Sequence, residues 1–197
     1  LILLDMQGGE SRMMLENRLR TLENNLTLPG ELFFPESWSP DGTKLLVSIG
    51  WSEGGTFAIL DTASGSLTYP SPQKILCCNA AWTADSQAVL ISNRYLGMIE
   101  SGLWRFEAAS GNVISLLGNT EGDFNYADWA LELPGGDLQF FFRNSPTIVY
   151  GEVSLKMVHS ASDASTDRRE LRPENFLLDG ALWAPDGSLA LVLLSQQ

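Results

Sequence analysis

One pentapeptide of this sequence has the residue pattern of a serine nucleophile. Gly50-Trp51-Ser52-Glu53-Gly54 fits the G-x-S-x-G elbow, in which a strained strand-to-helix turn exposes the serine hydroxyl and offers a backbone N–H to an oxyanion. The next residues, 56–61, have the apolar character of a strand instead of a helix. We therefore interpret the motif as a glycine-rich loop between two strands and predict no catalytic residue.

Two other segments contain groups that could act as a base or bind a metal. His159 is the single histidine of the chain and follows Ser52 in the order a catalytic triad requires, but it ends a predicted strand beside a polar turn. Oxygen-bearing side chains alternate from Asp123 to Asp128, although this segment lacks the central glycine and terminal glutamate of an EF-hand loop. We predict no metal site and no cofactor.

The two cysteines, Cys77 and Cys78, are adjacent, so they cannot link distant segments. We predict one buried and one partly exposed thiol, because free cysteine is usually buried. A vicinal redox pair is the alternative. Metal binding is disfavoured, because no cluster of Cys and His accompanies the pair.

Composition limits the classes of partner. The 197 residues have a net charge of −12, which argues against nucleic acid and against an anionic membrane surface as partners. No apolar run approaches the roughly 18 residues that a transmembrane helix requires, and no signal peptide is visible. The sequence begins at Leu1 within an apparent strand, as expected of a fragment or a processed form.

A repeat organises the remainder of the chain. In each copy a tryptophan ends a short apolar strand, a turn follows, and a second apolar strand comes next. The copies are Trp38-Ser39-Pro40-Asp41-Gly42, the looser 82–86, a weaker one from Trp129 with its turn at 134–137, and Trp183-Ala184-Pro185-Asp186-Gly187. Their starts are 44, 47 and 54 residues apart. Repeats of roughly 40–50 residues built from short strands predict the blades of a β-propeller.

The motif resembles the TolB-like repeat, also described as PD40 or WD40-like. Residues 38–42 and 183–187 match it closely, whereas 82–86 lacks both Pro and Gly. The resemblance implies a bacterial protein in a periplasmic or extracellular setting. It implies no active site, because the motif specifies a structural turn. The structural repeat residues are Trp38, Asp41, Gly42, Trp82, Asp85, Trp129, Trp183, Asp186 and Gly187.

We predict a single all-β propeller domain, 1–197, of four-stranded antiparallel blades. It comprises an outer half-blade at 1–16, blades at 33–70, 78–118 and 125–172, and an inner half-blade at 180–197, with a short helix at 18–26. If the half-blades pair, they close a four-bladed ring. TolB-like propellers typically have six blades, so part of a larger ring is the alternative.

Loops from second to third strands and between blades are expected to meet on one side of a propeller. They contain aromatic and arginine side chains, the types enriched at interaction hot spots. The candidate binding residues are Trp51, Glu53, Arg94, Tyr95, Glu100, Phe124, Tyr126, Arg143 and Tyr150, accompanied by Gln73, Lys74, Met98, Asn125 and Asn144.

Two functions fit these features. The first is a non-enzymatic interaction or scaffold module that binds another protein or a peptide through this loop face. The second is the substrate-gating propeller of a larger prolyl-oligopeptidase-type serine hydrolase, a class whose serine motif residues 50–54 resemble. A lectin-like site in the central funnel has no specific residue in its favour.

Overall fold

The computed structural model describes residues 1–21, 27–51, 54–72, 74–93, 101–118, 126–143, 148–154, 167–172 and 176–196. Within these ranges the regular structure is entirely β, and no helix could span a membrane. The strands are β1 (Ile2–Leu4), β2 (Ser11–Met13), β3 (Arg18–Thr21), β4 (Thr27–Trp38), β5 (Lys44–Trp51), β6 (Gly54–Asp61), β7 (Leu67–Thr68), β8 (Asn79–Trp82), β9 (Ala88–Asn93), β10 (Gly102–Glu107), β11 (Val113–Gly118), β12 (Tyr126–Glu132), β13 (Asp137–Arg143), β14 (Ile148–Ser154), β15 (Asp167–Arg172), β16 (Phe176–Trp183) and β17 (Ala190–Gln196).

The strands form five antiparallel sheets in chain order. Sheet I is β1–β2, sheet II is β3–β7, sheet III is β8–β11, sheet IV is β12–β15 and sheet V is β16–β17. Sheets III and IV each have the four strands of a propeller blade. All-β architecture of the propeller type, as the repeat predicts, is confirmed.

Sheet II departs from the prediction at its first strand. Arg18–Thr21, expected to begin a short helix, is strand β3, and residues 22–26 lie outside the described residues. β3 pairs with the first half of the long strand β4, whose second half pairs with β5. Pairing with β4, a tertiary interaction, overrides the weak local helix propensity here.

The two half-blades form separate sheets. β1 pairs with β2, β16 pairs with β17, and the described residues show no pairing between these hairpins. The pairing that would close a four-bladed ring is therefore not seen among the described strands. The described sheets form part of a propeller ring.

Each repeat turn places one residue in the left-handed region. The φ angles are +71° at Gly42, +61° at Ser86, +85° at Gly136 and +70° at Gly187. Each of these residues donates its N–H to the carbonyl oxygen three positions earlier. Ser86 therefore occupies the turn position of glycine in the copy that lacks it.

The turns also fix the alignment of the third copy. In each copy, one residue comes directly before the residue whose carbonyl accepts the turn hydrogen bond. This residue is a tryptophan in three copies, at Trp38, Trp82 and Trp183, and it is Glu132 in the third copy. Glu132 faces Leu138, as Trp82 faces Val89 in its own sheet. The turn of the third copy lies where the sequence predicts it, but Trp129 lies three residues before the position that the other three tryptophans occupy relative to their turns.

The hydrophobic core lies between successive sheets. Neighbouring residues of one strand point to opposite sides, so β9 sends Val89 toward sheet II and Leu90 toward sheet IV. In β17, Val192 packs toward sheet IV, whereas Leu191 is 75% exposed. Both terminal sheets thus leave one apolar face uncovered among the described residues.

The prediction of two free thiols was wrong. Cys77 and Cys78, just before β8, are joined by a disulfide, and both side chains are partly exposed. Sequence adjacency excludes a long-range link, but it does not exclude a bond between the two neighbours themselves.

Candidate functional site

The innermost strands of sheets III, IV and V enclose a groove with a volume of about 410 Å³. These strands, β8, β12 and β16, are each the first of their sheet, and Leu90 and Ser92 of β9 complete the lining. Its wall is mainly apolar. The lining residues are Asn79–Ala81, Leu90, Ser92, Trp129–Leu131 and Gly180–Trp183.

Trp129 is the largest groove residue with an unusual backbone. Its φ is +49°, in the left-handed region that aromatic residues rarely adopt. The register of β12 with β13 shifts between Asp128 and Leu131, so Trp129 lies in a β-bulge. Bulges redirect side chains, and strained residues of this kind concentrate at functional sites.

Three hydrogen bonds fix the bulge. Asp128 Oδ1 accepts the backbone N–H of Trp129 at 2.9 Å and Asn79 Nδ2 at 2.6 Å. The carbonyl oxygen of Trp129 accepts Trp183 Nε1 at 2.6 Å. One inner strand is therefore tied to its two neighbours at the position of Trp129.

A buried ion pair completes the arrangement. Arg143 Nε donates to Asp128 Oδ2 at 2.7 Å, and the two side chains are 15% and 1% exposed. Burial of a carboxylate is tolerated when a charged partner and hydrogen bonds compensate for lost hydration. The guanidinium carbon of Arg143 also lies 4.2 Å from the centre of the Trp129 ring, within cation–π distance.

Asn79 and Asp128 occupy equivalent places in consecutive sheets. Asn79 faces Ser92 in sheet III, and Asp128 faces Phe141 in sheet IV. In both sheets this facing residue lies three positions after the residue of the second strand that faces the last residue of the first strand. The Asn79–Asp128 hydrogen bond therefore joins sheet III to sheet IV beside the groove. Together with Trp129 and Arg143, these residues form what we name the Trp129 cluster.

The Trp129 cluster combines two groups of the kinds that contact ligands. It offers an aromatic ring held in one orientation and an arginine held by a buried carboxylate. Such groups can contact apolar, planar or hydrogen-bonding parts of a ligand. Among the described residues, no group of three or more His, Cys, Asp or Glu side chains could hold a metal ion.

The candidate loop residues have different outcomes. Arg143 ends β13 and belongs to the Trp129 cluster, and Trp51 ends β5 and packs partly buried against the core of sheets I and II. Tyr150 lies inside β14, is 8% exposed, and donates its hydroxyl to Glu152. The side chain of Tyr126 and all of Glu53, Arg94, Tyr95, Glu100 and Phe124 lie outside the described residues, as do Gln73, Met98, Asn125 and Asn144.

The structure around the G-x-S-x-G motif is that of a hairpin. Trp51 ends β5, Gly54 begins β6, and the two residues face each other in antiparallel register. A nucleophile elbow requires a helix after the serine, and here a strand follows. Ser52 and His159 themselves lie outside the described residues.

Sequence reasoning did not find Asn79 or the pairing of Asp128 with Arg143. Asp128 was considered only as the end of a segment of alternating oxygen-bearing side chains, and Asn79 was not singled out. The useful signal was the misplacement of Trp129. An aromatic residue three positions before the repeat position indicates an irregular inner strand.

Comparison with known proteins identifies the fold. No family model matches the sequence, and no curated protein matches it. Among solved structures, TolB from Acinetobacter baumannii aligns over the whole chain and 48% of its own length, at 16% identity and a TM-score of 0.51. The chain thus spans about half of that protein.

Two further structures are similar. A protein named as a dipeptidyl aminopeptidase IV from Bacteroides ovatus ATCC 8483 aligns with 94% of this chain and 35% of its own, at 13% identity and a TM-score of 0.58. A protein named as TolB from Agrobacterium tumefaciens aligns with 91% of this chain and 69% of its own length, at 12% identity and a TM-score of 0.52.

The described sheets, their packing and these similarities define the chain as a β-propeller module. Its fold is TolB-like, which bears out the resemblance carried by the repeat motif.

Proposed function

We propose that this propeller module binds a segment of another protein in the groove beside the Trp129 cluster and through the loop face that the sequence predicts, without catalysis. The observation that carries the proposal is Trp129. Trp129 lines the groove on a bulged, left-handed backbone, and the guanidinium carbon of Arg143 lies 4.2 Å from the centre of its ring. A strained aromatic residue supported by a buried ion pair is a rigid anchor, which limits the conformational entropy lost on binding.

The charge of the chain suggests the chemistry of the partner. With a net charge of −12, the protein attracts cationic segments and repels nucleic acid. A groove of about 410 Å³ has room for a few side chains of a peptide. We therefore expect a basic peptide segment that inserts an apolar or aromatic residue beside Trp129.

A peptide display selection tests this function. The 197-residue protein is used to select from a random library of about 12-residue peptides, and affinities of enriched peptides are measured by calorimetry. Trp129→Ala is expected to weaken binding at least about tenfold, the equivalent of roughly 1.4 kcal/mol. Trp38→Ala is the matched control, because Trp38 is a half-exposed repeat tryptophan outside the groove lining.

Two results would reject the proposal. One is the enrichment of no peptide above background. The other is enrichment of peptides whose affinities are equal for the wild type and Trp129→Ala, which would place binding elsewhere. Circular dichroism of each variant separates loss of binding from loss of fold.

A second function rests on a specific similarity. The aminopeptidase-named structure gives a TM-score of 0.58, and this chain covers 35% of it, so a propeller of this shape also forms part of a larger protein with that name. The alternative function is thus a substrate-gating propeller of a prolyl-oligopeptidase-type hydrolase. The test is hydrolysis of a fluorogenic Xaa-Pro substrate by the protein purified from its natural source, with labelling by a fluorophosphonate. Activity and labelling would favour this function over the first.

We also propose a periplasmic or extracellular location. The Cys77–Cys78 disulfide supports it, because disulfides persist mainly in oxidising compartments. Fractionation of the source cells is expected to yield the protein outside the cytoplasm with this bond intact. A cytoplasmic protein with both thiols reduced would contradict the location.

A further inference from the structure

The segment that joins sheet II to sheet III is held at both sides by buried side chains. The hydroxyl of Thr56, on β6, donates to the carbonyl oxygen of Lys74 at 3.0 Å and accepts the N–H of Leu76 at 3.1 Å. The Asn93 amide, on β9, accepts the N–H of Cys77 at 3.0 Å and donates to the carbonyl oxygen of Ile75 at 3.2 Å. These bonds fix the backbone that leads into the disulfide.

The disulfide lies at the end of this fixed segment. Cys78 has φ of +87°, in the left-handed region that favours glycine, although it is not a glycine. Leu76, two residues earlier, is 1% exposed in the core between sheets II and III. The bond to Cys77 and the anchored segment both constrain the backbone at Cys78.

Both sulfur-bearing residues border open space. Cys77 and Cys78 are partly exposed and line a cavity of about 620 Å³ beside sheet II. The apolar residues around them include Phe34, Ile49, Phe57 and Ile75. A small thiol or another small reagent can therefore reach the bond without unfolding the sheets.

We propose that Cys77–Cys78 is a reversible redox site that reacts with low-molecular-weight thiols and, once reduced, chelates soft thiophilic groups. In reduction, an external thiolate attacks one sulfur, the S–S bond breaks, and the other cysteine leaves as a thiolate. A second external thiolate resolves the mixed disulfide. Two electrons pass to the protein, which takes up two protons, and the external thiols leave as their own disulfide.

The reduced pair is suited to chelation because its two thiols are adjacent. A trivalent arsenical R–As=O forms two As–S bonds with them, and its oxygen leaves as water with the two thiol protons. Two adjacent thiols bind trivalent arsenic more tightly than one, because both As–S bonds then belong to one chelate, whereas a single cysteine supplies only one of them. The cavity provides an apolar surface for the organic group of the arsenical.

Reduction is also expected to affect the neighbouring residue. Asn79 follows Cys78 directly, and its side chain bonds to Asp128 in the Trp129 cluster. When Cys78 is free to leave φ of +87°, the backbone at Asn79 loses one constraint. This structural effect does not depend on the proposed binding function.

The test uses the folded protein and phenylarsine oxide as the probe. Iodoacetamide is expected to label neither cysteine before reduction and both after native treatment with dithiothreitol. The reduced protein is expected to bind one phenylarsine oxide by intact mass. Cys77→Ser and Cys78→Ser are each expected to weaken that binding at least about tenfold, because chelation becomes monodentate. Hydrogen exchange at residues 79–81 is expected to accelerate on reduction.

Each contrary result would overturn the proposal. Labelling of both cysteines without reductant would show that no disulfide forms. Reduction only in denaturant would show that thiols do not reach the bond in the folded protein. If Cys77→Ser and Cys78→Ser bound phenylarsine oxide as tightly as the reduced wild type, the two thiols would not act together as a chelate. Circular dichroism of the double variant Cys77→Ser/Cys78→Ser confirms that the fold persists without either sulfur.

Discussion

The indole Nε1 of Trp183 donates a 2.6 Å hydrogen bond to the backbone carbonyl oxygen of Trp129. Trp82 makes the corresponding bond to Ser37, at 3.2 Å, between sheets III and II. The repeat tryptophan therefore joins the inner strand of its own sheet to that of the preceding sheet. In sheet IV, Glu132 replaces it, and Glu132 lies 3.7 Å from Arg105 of sheet III instead.

Removal of this indole donor should destabilise the junction of sheets IV and V. Trp183→Phe keeps an aromatic ring near Phe141, on which Trp183 stacks at 4.8 Å, but loses the hydrogen bond to Trp129. The expected loss is about 1 kcal/mol of unfolding free energy, measured by urea denaturation. Trp38→Phe is the control, with an expected change below about 0.5 kcal/mol. Equal losses of unfolding free energy in Trp183→Phe and Trp38→Phe would show that the hydrogen bond from Trp183 to Trp129 does not contribute to stability.

The left-handed backbone of Trp129 predicts an unusual order of substitutions. Glycine in a strand is normally less stable than alanine, but at φ of +49° alanine retains the steric conflict and glycine does not. Trp129→Gly should therefore be more stable than Trp129→Ala by about 1 kcal/mol. Urea denaturation of the two variants measures the difference. The ordinary strand order, with alanine more stable, would mean that the bulge relaxes once the ring is absent.

The buried ion pair is expected to act as a unit. Arg143→Met removes the guanidinium from Asp128, which is 1% exposed, and should lower the unfolding free energy by about 3 kcal/mol. Adding Asp128→Asn removes the buried charge and should restore part of that loss. A double-mutant cycle by urea denaturation measures the coupling. Additive effects of the two substitutions would indicate that no coupling exists.

Glu132 should make the protein less stable as pH rises. Burial raises the pKa of Glu132, and the negative charges of Asp85 and Glu107 act in the same direction, despite the opposing charge of Arg105. The native state thus binds a proton more tightly than the unfolded state. The unfolding free energy therefore falls as pH increases from the ordinary glutamate pKa through the raised value.

Glu132→Gln removes this penalty. It should raise the unfolding free energy at pH 7 by less than about 1 kcal/mol, since solvent screens part of the effect. The gain should disappear near pH 3, where the carboxyl is largely protonated in both states. Thermal unfolding at both pH values measures it, with the exposed Glu16→Gln as control. A gain that persists at low pH would show a cause other than ionisation.

The uncovered face of sheet V should promote self-association of the 197-residue chain. Leu191 and Leu193 are 75% and 66% exposed, in a strand whose other face packs on sheet IV. The double substitution Leu191→Thr/Leu193→Thr should lower the sedimentation coefficient at high concentration with little change in unfolding free energy. Val192→Thr, between them on the packed face, should instead lower stability. Association that is unchanged in the double variant would exclude this face.

The sequence alone determined the blade architecture, because its signals are local. Each turn needs a residue with a left-handed backbone that donates its N–H to the carbonyl oxygen three positions earlier. Gly42 and Gly187 are such residues, and each lies within five residues of its repeat tryptophan. Apolar residues on both faces of the second strands indicate sheets packed on two sides, as Val89 and Leu90 show. Neither feature depends on distant parts of the chain.

The tertiary structure alone decided the site. The bulge at Trp129 depends on Asp128, which is held by Asn79 from a strand 49 residues earlier, and on Trp183, 54 residues later. The left-handed conformation at Cys78 lies beside a segment fixed by Thr56 and Asn93, on two different sheets. Strain at one residue persists only when its neighbours in space compensate for it, and a linear pattern of residue types contains no record of those neighbours.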